Sequence, residues 1–274
     1  MRCLLGALFV GSFLAATSIS SAEGLPAREQ PMGLVGSQYV FPSLANVQGL
    51  GAYFRTRMVL TNMNDSPLTV IAVLMSPTGQ RGLKTVGLAS YETRTYEDFL
   101  GELFGYTGGG GVWLIDEGSA LSGTPRPFLA VAEVYSDGVR GRTSTPVTGL
   151  LPDDRVVDPA VEAGYSLVTG LRVDSGNRAN FGCANNELGP AKVRAEIYAS
   201  DPPGFSAPVA VEEFSLVENG WSQKALPVQN GQFRILFRAI SGAGYLGIYC
   251  YGVNVNNSSN DGTSIPAAYV RPFR

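Results

Sequence analysis

The sequence predicts an all-β chain built from two similar halves, and three observations lead to that prediction. A stretch that begins FRTRMVLTN at Phe54 returns 123 residues later, at Asn177, as NRANFGCANN. Apolar and polar residues alternate over short runs in both halves, and clusters of Gly, Pro, Asn and Ser separate the runs. A period of two is typical of strands that bury one face. We therefore expect antiparallel sheets throughout.

The first 22 residues have the pattern of a signal peptide. Arg2 precedes an apolar run that ends near Ala16, and the small residues Ser20 and Ala22 are placed as at a cleavage site. The apolar run is shorter than the ~20 residues of a membrane-spanning helix. We expect a secreted protein, free in the medium, in the periplasm or at the cell surface, without a membrane span.

The match between the halves extends to both ends of the unit. At an offset of 123 the identities are Arg55/Arg178, Asn62/Asn185, Pro67/Pro190, Val70/Val193 and Ala72/Ala195. TSTPVTGLLP from Thr143 matches TSIPAAYVRP from Thr263 at an offset of 120. Agreement at start and finish predicts a duplicated domain. We expect a first domain over 35–150, a polar linker over 151–163 that contains two prolines, and a second domain over 164–274.

Alternation places the predicted strands. In the second half, Phe181 and Cys183 face one side of a first strand, and the turn NNELGP follows it. Val193, Ala195 and Ile197 then face one side of a second strand. Two strands joined by a short turn predict a hairpin. Further runs predict more strands: GVWLID and FLAVAEVY in the first half, FRILFRAI and YLGIYCYGVNV in the second. Short strands at this spacing favour a sandwich in each half.

One segment has helical rather than strand spacing. In RTYEDFLGELFGY the apolar residues at helical spacing are Tyr96, Phe99, Leu100, Leu103 and Phe104. We predict a short helix across an open end of the first sandwich, limited by Gly101 and Gly105. The corresponding GWSQKALPVQNG contains Pro227, which argues against a matching helix.

The combination of FRTRMVLTN, LVTGLRVDSGNRANFGCANN, WSQ and VNVNNSSNDGTSIPA resembles a recurrent type of exported bacterial protein built from tandem immunoglobulin-like β-sandwiches. The resemblance extends from Gln38 to Ala267. It implies two tandem immunoglobulin-like antiparallel sandwiches and export, and it implies no reaction. The first half departs from the pattern at Arg57, where the second half has Asn180.

The cysteines predict one covalent link. After loss of Cys3 with the leader, Cys183 and Cys250 remain, and two cysteines in an exported chain most simply form a disulfide. We expect it to join the two sheets of the second sandwich. The first half has Leu60 and either Leu129 or Ala130 at the matching positions.

Composition excludes several kinds of chemistry. The chain has no histidine, which rules out Ser-His-Asp and Cys-His catalysis and histidine metal sites. No serine lies in a Gly-x-Ser-x-Gly elbow. Gly108–Gly111 lacks a following Gly-Lys-Ser/Thr, so we interpret it as a flexible turn before Val112. Without its leader the chain has 19 basic residues (20 less Arg2) and 23 acidic ones, which disfavours nucleic acid. We predict no catalytic residue, metal or cofactor.

Acidic residues leave one enzymatic alternative, since a glycosidase needs only two well-placed carboxylates. Glu133 interrupts an apolar strand, and Asp116 ends another. We expect Glu133 to pair with an arginine on a neighbouring strand and Asp116 to lie in a turn. NVNNSSNDG from Asn254 suggests a calcium loop but contains one carboxylate, Asp261, so a turn built on Asn side chains is favoured.

Tyr249 and Tyr251 are the first candidate binding residues. If Cys250 faces the core, both tyrosines lie on the opposite face of the strand. Exposed, they would form a platform for a sugar ring or a protein partner; covered by a neighbouring loop, they would extend the core.

A second candidate surface is the row Ile71, Val73 and Met75, whose counterparts in the second half are Arg194, Glu196 and Tyr198. An apolar outward row is seldom left in water. We expect it to be covered by the segment SQYVFPSL, by the second domain or by a partner molecule.

These observations together predict a noncatalytic exported interaction module with an adhesive or carbohydrate-binding role. Its partner would be a protein or glycan at a cell surface or in the extracellular matrix, and self-association is an option. The alternatives are a structural subunit of an extracellular assembly and, from a different class, a secreted hydrolase that uses Asp and Glu. The repeated arginine (Arg55, Arg178) and asparagine (Asn62, Asn185) are interpreted as structural: an arginine that spans strands and an asparagine that shapes a turn.

Overall fold

A computed structural model of the chain describes residues 35–49, 51–79, 82–121, 123–138, 141–156, 165–201, 207–242, 244 and 247–270. The predicted signal peptide, residues 1–22, and the linker from residue 157 onward lie outside the described residues. Those that are described form antiparallel sheets with two short α-helices, so the all-β prediction is confirmed. In the described part of the chain, no helix has both the length and the apolar character needed to cross a membrane.

The first repeat contains nine strands and both helices. The strands are β1 (Val35–Gly36), β2 (Gln38–Gln48), β3 (Tyr53–Asn62), β4 (Leu68–Met75), β5 (Gly82–Leu88), β6 (Thr93–Tyr96), β7 (Gly108–Asp116), β8 (Phe128–Gly138) and β9 (Gly141–Val147). The helices are α1 (Phe99–Phe104) and α2 (Glu117–Leu121). Strands pair in the orders β6-β3-β8-β9 and β2-β7-β4-β5, while β1 pairs with β8. One end of β2 also pairs with β3, which joins the two layers into a continuous sheet of nine strands.

The second repeat follows a 3₁₀ turn at Pro152–Asp154. Its strands are β10 (Tyr165–Val173), β11 (Asn177–Asn185), β12 (Ala191–Ala199), β13 (Ala210–Leu216), β14 (Trp221–Ala225), β15 (Gly231–Ser241), β16 (Ile248–Asn256), β17 (Gly262–Pro266) and β18 (Ala268–Val270). They form two sheets, β14-β11-β16-β17 and β13-β12-β15-β10-β18. These orders match those of the first repeat strand for strand, apart from β1 and β18. The two halves that repeat in sequence therefore also share the same order of paired strands. The immunoglobulin-like assignment and the domain boundaries stay predictions.

Each repeat has its own apolar core. In the second, Phe181 and Cys250 from one sheet pack in the same cluster as Val193 and Phe237 from the other. The core-facing residues predicted from alternation, Val70, Ala72, Leu74, Val193, Ala195 and Ile197, are all buried. Because the two sheets of the second repeat share one core, their packing is that of a sandwich.

The predicted hairpin after β11 is wrong. Strand β11 pairs with β14 and β16, whereas β12 pairs with β13 and β15 in the other sheet. Both edges of β11 are already hydrogen-bonded, so the chain crosses to the opposite layer instead of turning back.

The repeated asparagine holds this crossing in both repeats. The Asn62 amide donates to the carbonyls of Ser66 and Ala89 at 2.8 and 2.9 Å. The Asn185 amide donates to Gly189 and Val217 at 2.9 and 2.8 Å. The turn-shaping interpretation of this asparagine is thus confirmed in both halves.

The disulfide is present, but its predicted position between the sheets is wrong. Cys183 and Cys250 are bonded, with their Cα atoms 4.1 Å apart, and they lie directly opposite each other on the adjacent strands β11 and β16. Both side chains face the core because residues paired across neighbouring strands share a face. Leu60 and Ala130 occupy the same cross-strand position in the first repeat.

The helix prediction is confirmed at α1. The Asp98 carboxylate caps the helix by accepting a hydrogen bond from the Gly101 N–H at 3.1 Å. Gly105 ends it in the left-handed conformation, with φ at 63°, which glycine adopts at little cost. Phe99 and Leu100 are buried against the first core. In the second repeat, an irregular segment through Pro227, directly after β14, replaces the helix.

We expect loss of the disulfide to destabilise the second repeat. The bond closes a loop of 67 residues, and chain entropy alone predicts a loss of about 4 kcal/mol in the free energy of unfolding. Urea unfolding of Cys183→Ala/Cys250→Ala should show this loss, and wild type under reducing conditions provides the matched comparison. An unchanged midpoint in both samples would contradict the prediction.

Candidate functional site

The outer face of the β14-β11-β16-β17 sheet packs against the first repeat. Val40, Met75 and Leu150 of the first repeat form one buried cluster with Ala184 and Tyr249 of the second, and the half-buried Trp113 and Trp221 pack against it. We call this group the junction cluster. It makes the interface between the repeats a third, smaller core.

Trp221 is the centre of the polar contacts at the junction. Its indole N–H donates to the Pro42 carbonyl at 2.8 Å. Its backbone N–H donates to the Ser76 carbonyl at 3.0 Å, and the Ser76 N–H donates to Asn219 at 3.1 Å. Trp221 is therefore fixed to the first repeat by its ring and by its backbone.

The glycine run of β7 makes room for this contact. The sequence prediction of a flexible turn at Gly108–Gly111 is wrong, because all four residues belong to β7. A Cβ at Gly109 would lie 2.6 Å from Trp221 Cη2, and one at Gly111 would lie 3.2 Å from the Ala184 Cβ. The absent side chains let the second repeat approach the backbone of β7.

The row Ile71, Val73 and Met75 is largely covered. Met75 is 0% and Val73 2% exposed, while Ile71 is half-buried. Met75 belongs to the junction cluster, together with Val40 from the segment SQYVFPSL and residues of the second repeat. Two of the three elements predicted to cover the row, the segment SQYVFPSL and the second repeat, therefore pack together with Met75. The row is packing surface rather than a free binding surface.

Tyr249 and Tyr251 are buried as well, at 2% and 0% exposure, so the hypothesis of an exposed aromatic platform is wrong. Both lie on the face opposite Cys250, but the first repeat covers that face. The Tyr251 hydroxyl donates to Gln223 Oε1 at 2.9 Å. Burial raises the pKa of both phenols. Of the two alternatives considered for these residues, the structure agrees with the covered one.

Beside the junction cluster the interface opens into a cavity of about 470 Å³, which we call the inter-repeat cleft. Its apolar wall includes Leu44, Val47, Phe54, Val134, Val147, Val253 and Val255. Its polar groups include Ser43, Thr145, Arg178, Asn180, Gln223, Asn260 and Ser264. No Asp or Glu occurs among the described residues that line it. A mostly apolar wall with a few convergent polar groups is the usual composition of a small-ligand site.

Among the described residues that line the cleft, Arg178 is the charged one. Its two terminal nitrogens donate to Asn257 Oδ1 and Asn260 Oδ1, both at 3.1 Å, in the loop between β16 and β17. Within the described part of the chain it forms no ion pair with a carboxylate. Burial lowers the pKa of its guanidinium, because no nearby anion compensates for the lost water. Its counterpart Arg55 instead lies over the Tyr53 ring, 4.9 Å from the ring centroid.

Two amide side chains add neutral polar groups to the cleft. Asn180 makes no side-chain hydrogen bond to another described residue, so both its carbonyl oxygen and its NH₂ group are available. Gln223 uses its oxygen as an acceptor for Tyr251, which leaves its NH₂ group as a donor. Together the two amides offer donors and acceptors to a polar ligand.

The stretch that suggested a calcium loop is a turn, as predicted. Asn256 Oδ1 accepts hydrogen bonds from the N–H groups of Ser258 and Ser259 at 2.9 and 3.1 Å. The described residues contain no group of three or more His, Cys, Asp or Glu side chains that could hold a metal ion. This turn positions the two asparagines that bind Arg178.

The two acids singled out from the sequence lie elsewhere. Glu133 pairs with Arg57 on the neighbouring strand at 3.3 Å, as predicted. The expectation of a turn at Asp116 is wrong, because Asp116 is the last residue of β7. It is fully buried and accepts from the Ser119 and Arg126 N–H groups at 2.9 and 3.0 Å. An ion pair with the Arg126 guanidinium at 3.2 Å completes its contacts. Both carboxylates are thus engaged in holding the first repeat together.

Arg178 was noticed in the sequence only because it recurs, and the inter-repeat cleft was not foreseen. The signals that point to the cleft are the glycine run and the tryptophan, which have no counterparts in the other repeat. No protein-family model matches the chain, and no curated protein matches it. The assignment of function therefore rests on the geometry of this site.

We expect Gly109→Ala to disturb the junction. The added methyl would clash with the Trp221 ring, and overpacking of this kind typically lowers the free energy of unfolding by about 1–3 kcal/mol. Gly87→Ala in β5 is the control, because a Cβ there has no atom within 4 Å. Thermal or urea unfolding of the two variants makes the comparison; equal stability would show that the ring does not need the glycine.

We also expect Met75→Ala to be costly, since Met75 is fully buried at the junction. Truncation of a buried Met lowers the free energy of unfolding by about 2–5 kcal/mol. Leu83→Ala on the neighbouring strand β5 is the control, because Leu83 is 52% exposed and its truncation should change stability by about 0.5 kcal/mol or less. A loss for Met75→Ala no larger than that of the control would argue against a packed junction.

Proposed function

We propose that the protein is a noncatalytic exported interaction module that binds carbohydrate in the inter-repeat cleft, and that it serves adhesion to a glycan at a cell surface or in the extracellular matrix. The observation that carries the proposal is the cleft itself, a cavity of about 470 Å³. It lies between two repeats that the Trp221 contact holds together. Its volume falls in the range of ~300–1,000 Å³ typical of small-ligand sites.

The lining of the cleft suits a sugar. Phe54 and Val253 present apolar surface that can pack on the C–H groups of a pyranose ring, while Asn180 and Gln223 offer amide groups to its hydroxyls. A sugar has both kinds of surface, and a site that binds it needs both. The two repeats hold these groups in place through the junction cluster.

The same lining argues against the hydrolase alternative. Glycoside hydrolysis usually requires two carboxylates on either side of the scissile bond. The described lining of the cleft contains neither Asp nor Glu. The acids considered from the sequence, Glu133 and Asp116, pair with Arg57 and Arg126 away from the cleft. The residues of the cleft therefore support binding of a sugar without its cleavage.

One observation favours a structural subunit of an extracellular assembly as the second candidate. Strand β13 is an edge of its sheet, and three valines on or beside it are exposed: Val209, Val211 and Val217. An exposed edge with apolar side chains can pair with a strand of another chain. Self-association through β13 would give such an assembly.

We expect the exported form, residues 23–274, to bind glycans on an array, and Val253→Trp to lose that binding. Val253 lies in the cleft wall, so a tryptophan there fills the space a sugar would take. Val131→Trp is the matched control, because Val131 is an exposed residue on β8, the counterpart of β16.

The outcomes separate the two candidates. Binding by wild type and Val131→Trp but not by Val253→Trp would support the cleft as the site. Equal glycan binding by all three proteins would refute it. Absence of any glycan binding, together with concentration-dependent oligomers in analytical ultracentrifugation, would favour the assembly subunit.

A further inference from the structure

We infer that the ligand of the inter-repeat cleft is an acidic sugar and that Arg178 binds its carboxylate. The inference rests on the proposed function and names the class of sugar. It is carried by a partly buried guanidinium that lines the cleft and makes its described hydrogen bonds to neutral amides.

The surroundings of Arg178 differ from those of most other described arginines. Six of them form ion pairs with carboxylates in the structure: Arg57, Arg94, Arg126, Arg142, Arg172 and Arg194. Arg178 lines a cavity and forms no such pair with a described residue. A desolvated cation without an anion is unfavourable, so an anionic ligand in the cleft would relieve the cost.

The guanidinium is already oriented. Asn257 and Asn260 each accept one hydrogen bond from it, at 3.1 Å, and their loop is fixed by the Asn256 turn. A guanidinium has five N–H donors, so donors beyond these two bonds are available to a carboxylate. Because the side chain is held in place, little rotamer freedom is lost when the ligand binds.

The surroundings of Arg178 favour a sugar over a simple inorganic anion. Arg178 and Asn180 lie on the same face of β11, and Val255 and Val253 are their partners across the ladder on β16. A carboxylate on Arg178 would therefore place the rest of the ligand over valine side chains and beside the Asn180 amide. A small inorganic anion would leave both of these unused.

The strand pairing favours a sugar over the carboxyl terminus of a peptide. Peptides commonly bind by adding a strand to a free sheet edge. The strands that carry the Arg178 side of the cleft, β11 and β16, each have a neighbour on both sides. Their backbone groups are thus committed to the sheet, and only side chains face the ligand.

We would test the inference by isothermal titration of residues 23–274 with galacturonic acid trisaccharide and with its methyl ester. The two probes share the same sugar rings, but each carboxyl group is ionised in the acid and is a neutral methyl ester in the other probe. We expect wild type to bind the acid more tightly by about 10- to 100-fold, the range expected for hydrogen bonds to a charged group. Arg178→Gln should bind both probes equally. Arg55→Gln, the same change at the repeated position outside the cleft, should keep the preference.

A second variant tests the same inference if Arg178→Gln fails to fold. Asn260→Asp places a carboxylate against the guanidinium and so should remove the preference for the acid while the arginine is kept. Asparagine and aspartate both tolerate the left-handed backbone that Asn260 adopts, with φ at 59°. A wild-type preference retained in both variants would overturn the role of Arg178.

The results distinguish this inference from the proposed function. Equal affinity of wild type for acid and ester would overturn the acidic-sugar inference and leave carbohydrate binding standing. Failure to bind either probe or any glycan on the array would overturn both. Binding of a peptide with a free carboxyl terminus but not of its amidated form, with no sugar bound, would also overturn both and identify a peptide ligand.

Discussion

The packing of Trp221 on the glycine strand β7 is the contact on which the arrangement of the two repeats depends. The indole reaches the backbone of β7 because Gly109 has no side chain in its path, and its N–H is satisfied by the Pro42 carbonyl at 2.8 Å. This contact brings the outer face of the β14-β11-β16-β17 sheet, which would otherwise be exposed to solvent, against the first repeat. Burial of Met75 and Tyr249 follows from it, and so does the cleft beside them.

The cleft lies between two close contacts of the repeats. Near Trp221, small residues such as Ala184 allow tight packing. Beyond Arg178 the repeats approach each other again, since a Cβ at Gly262 would clash with Thr145 Oγ1. The guanidinium is therefore partly removed from water without being brought to a carboxylate, which lowers its pKa. In the proposed function, a guanidinium in that position would serve to select the ligand.

The sequence was sufficient to predict which residues of some strands face the core. Alternation identified the core faces of β4 and β12, and spacing identified α1 with its limiting glycine. Alternation also placed Tyr249 and Tyr251 on the face opposite Cys250, but it could not show that another repeat lies on that face. For the same reason the disulfide was assigned across sheets, since facing the core does not reveal which strand is adjacent. Arg55 and Arg178 are identical in the repeat, and only tertiary structure gives them different surroundings.

The glycines of β7 also decide whether the contact between the two repeats could be repeated with a further copy. By the strand register, the positions of Gly109 and Gly111 are occupied in β15 by Gln232 and Arg234, and the position of Trp221 is occupied in β6 by Thr93. Strand β15 therefore carries side chains at the positions where an indole would pack, and β6 has threonine in place of Trp221. A head-to-tail contact of this kind would otherwise be open to endless addition of further units. Because of this divergence at a few side chains, the Trp221 contact cannot be repeated in the same form by the equivalent strands of the other repeat.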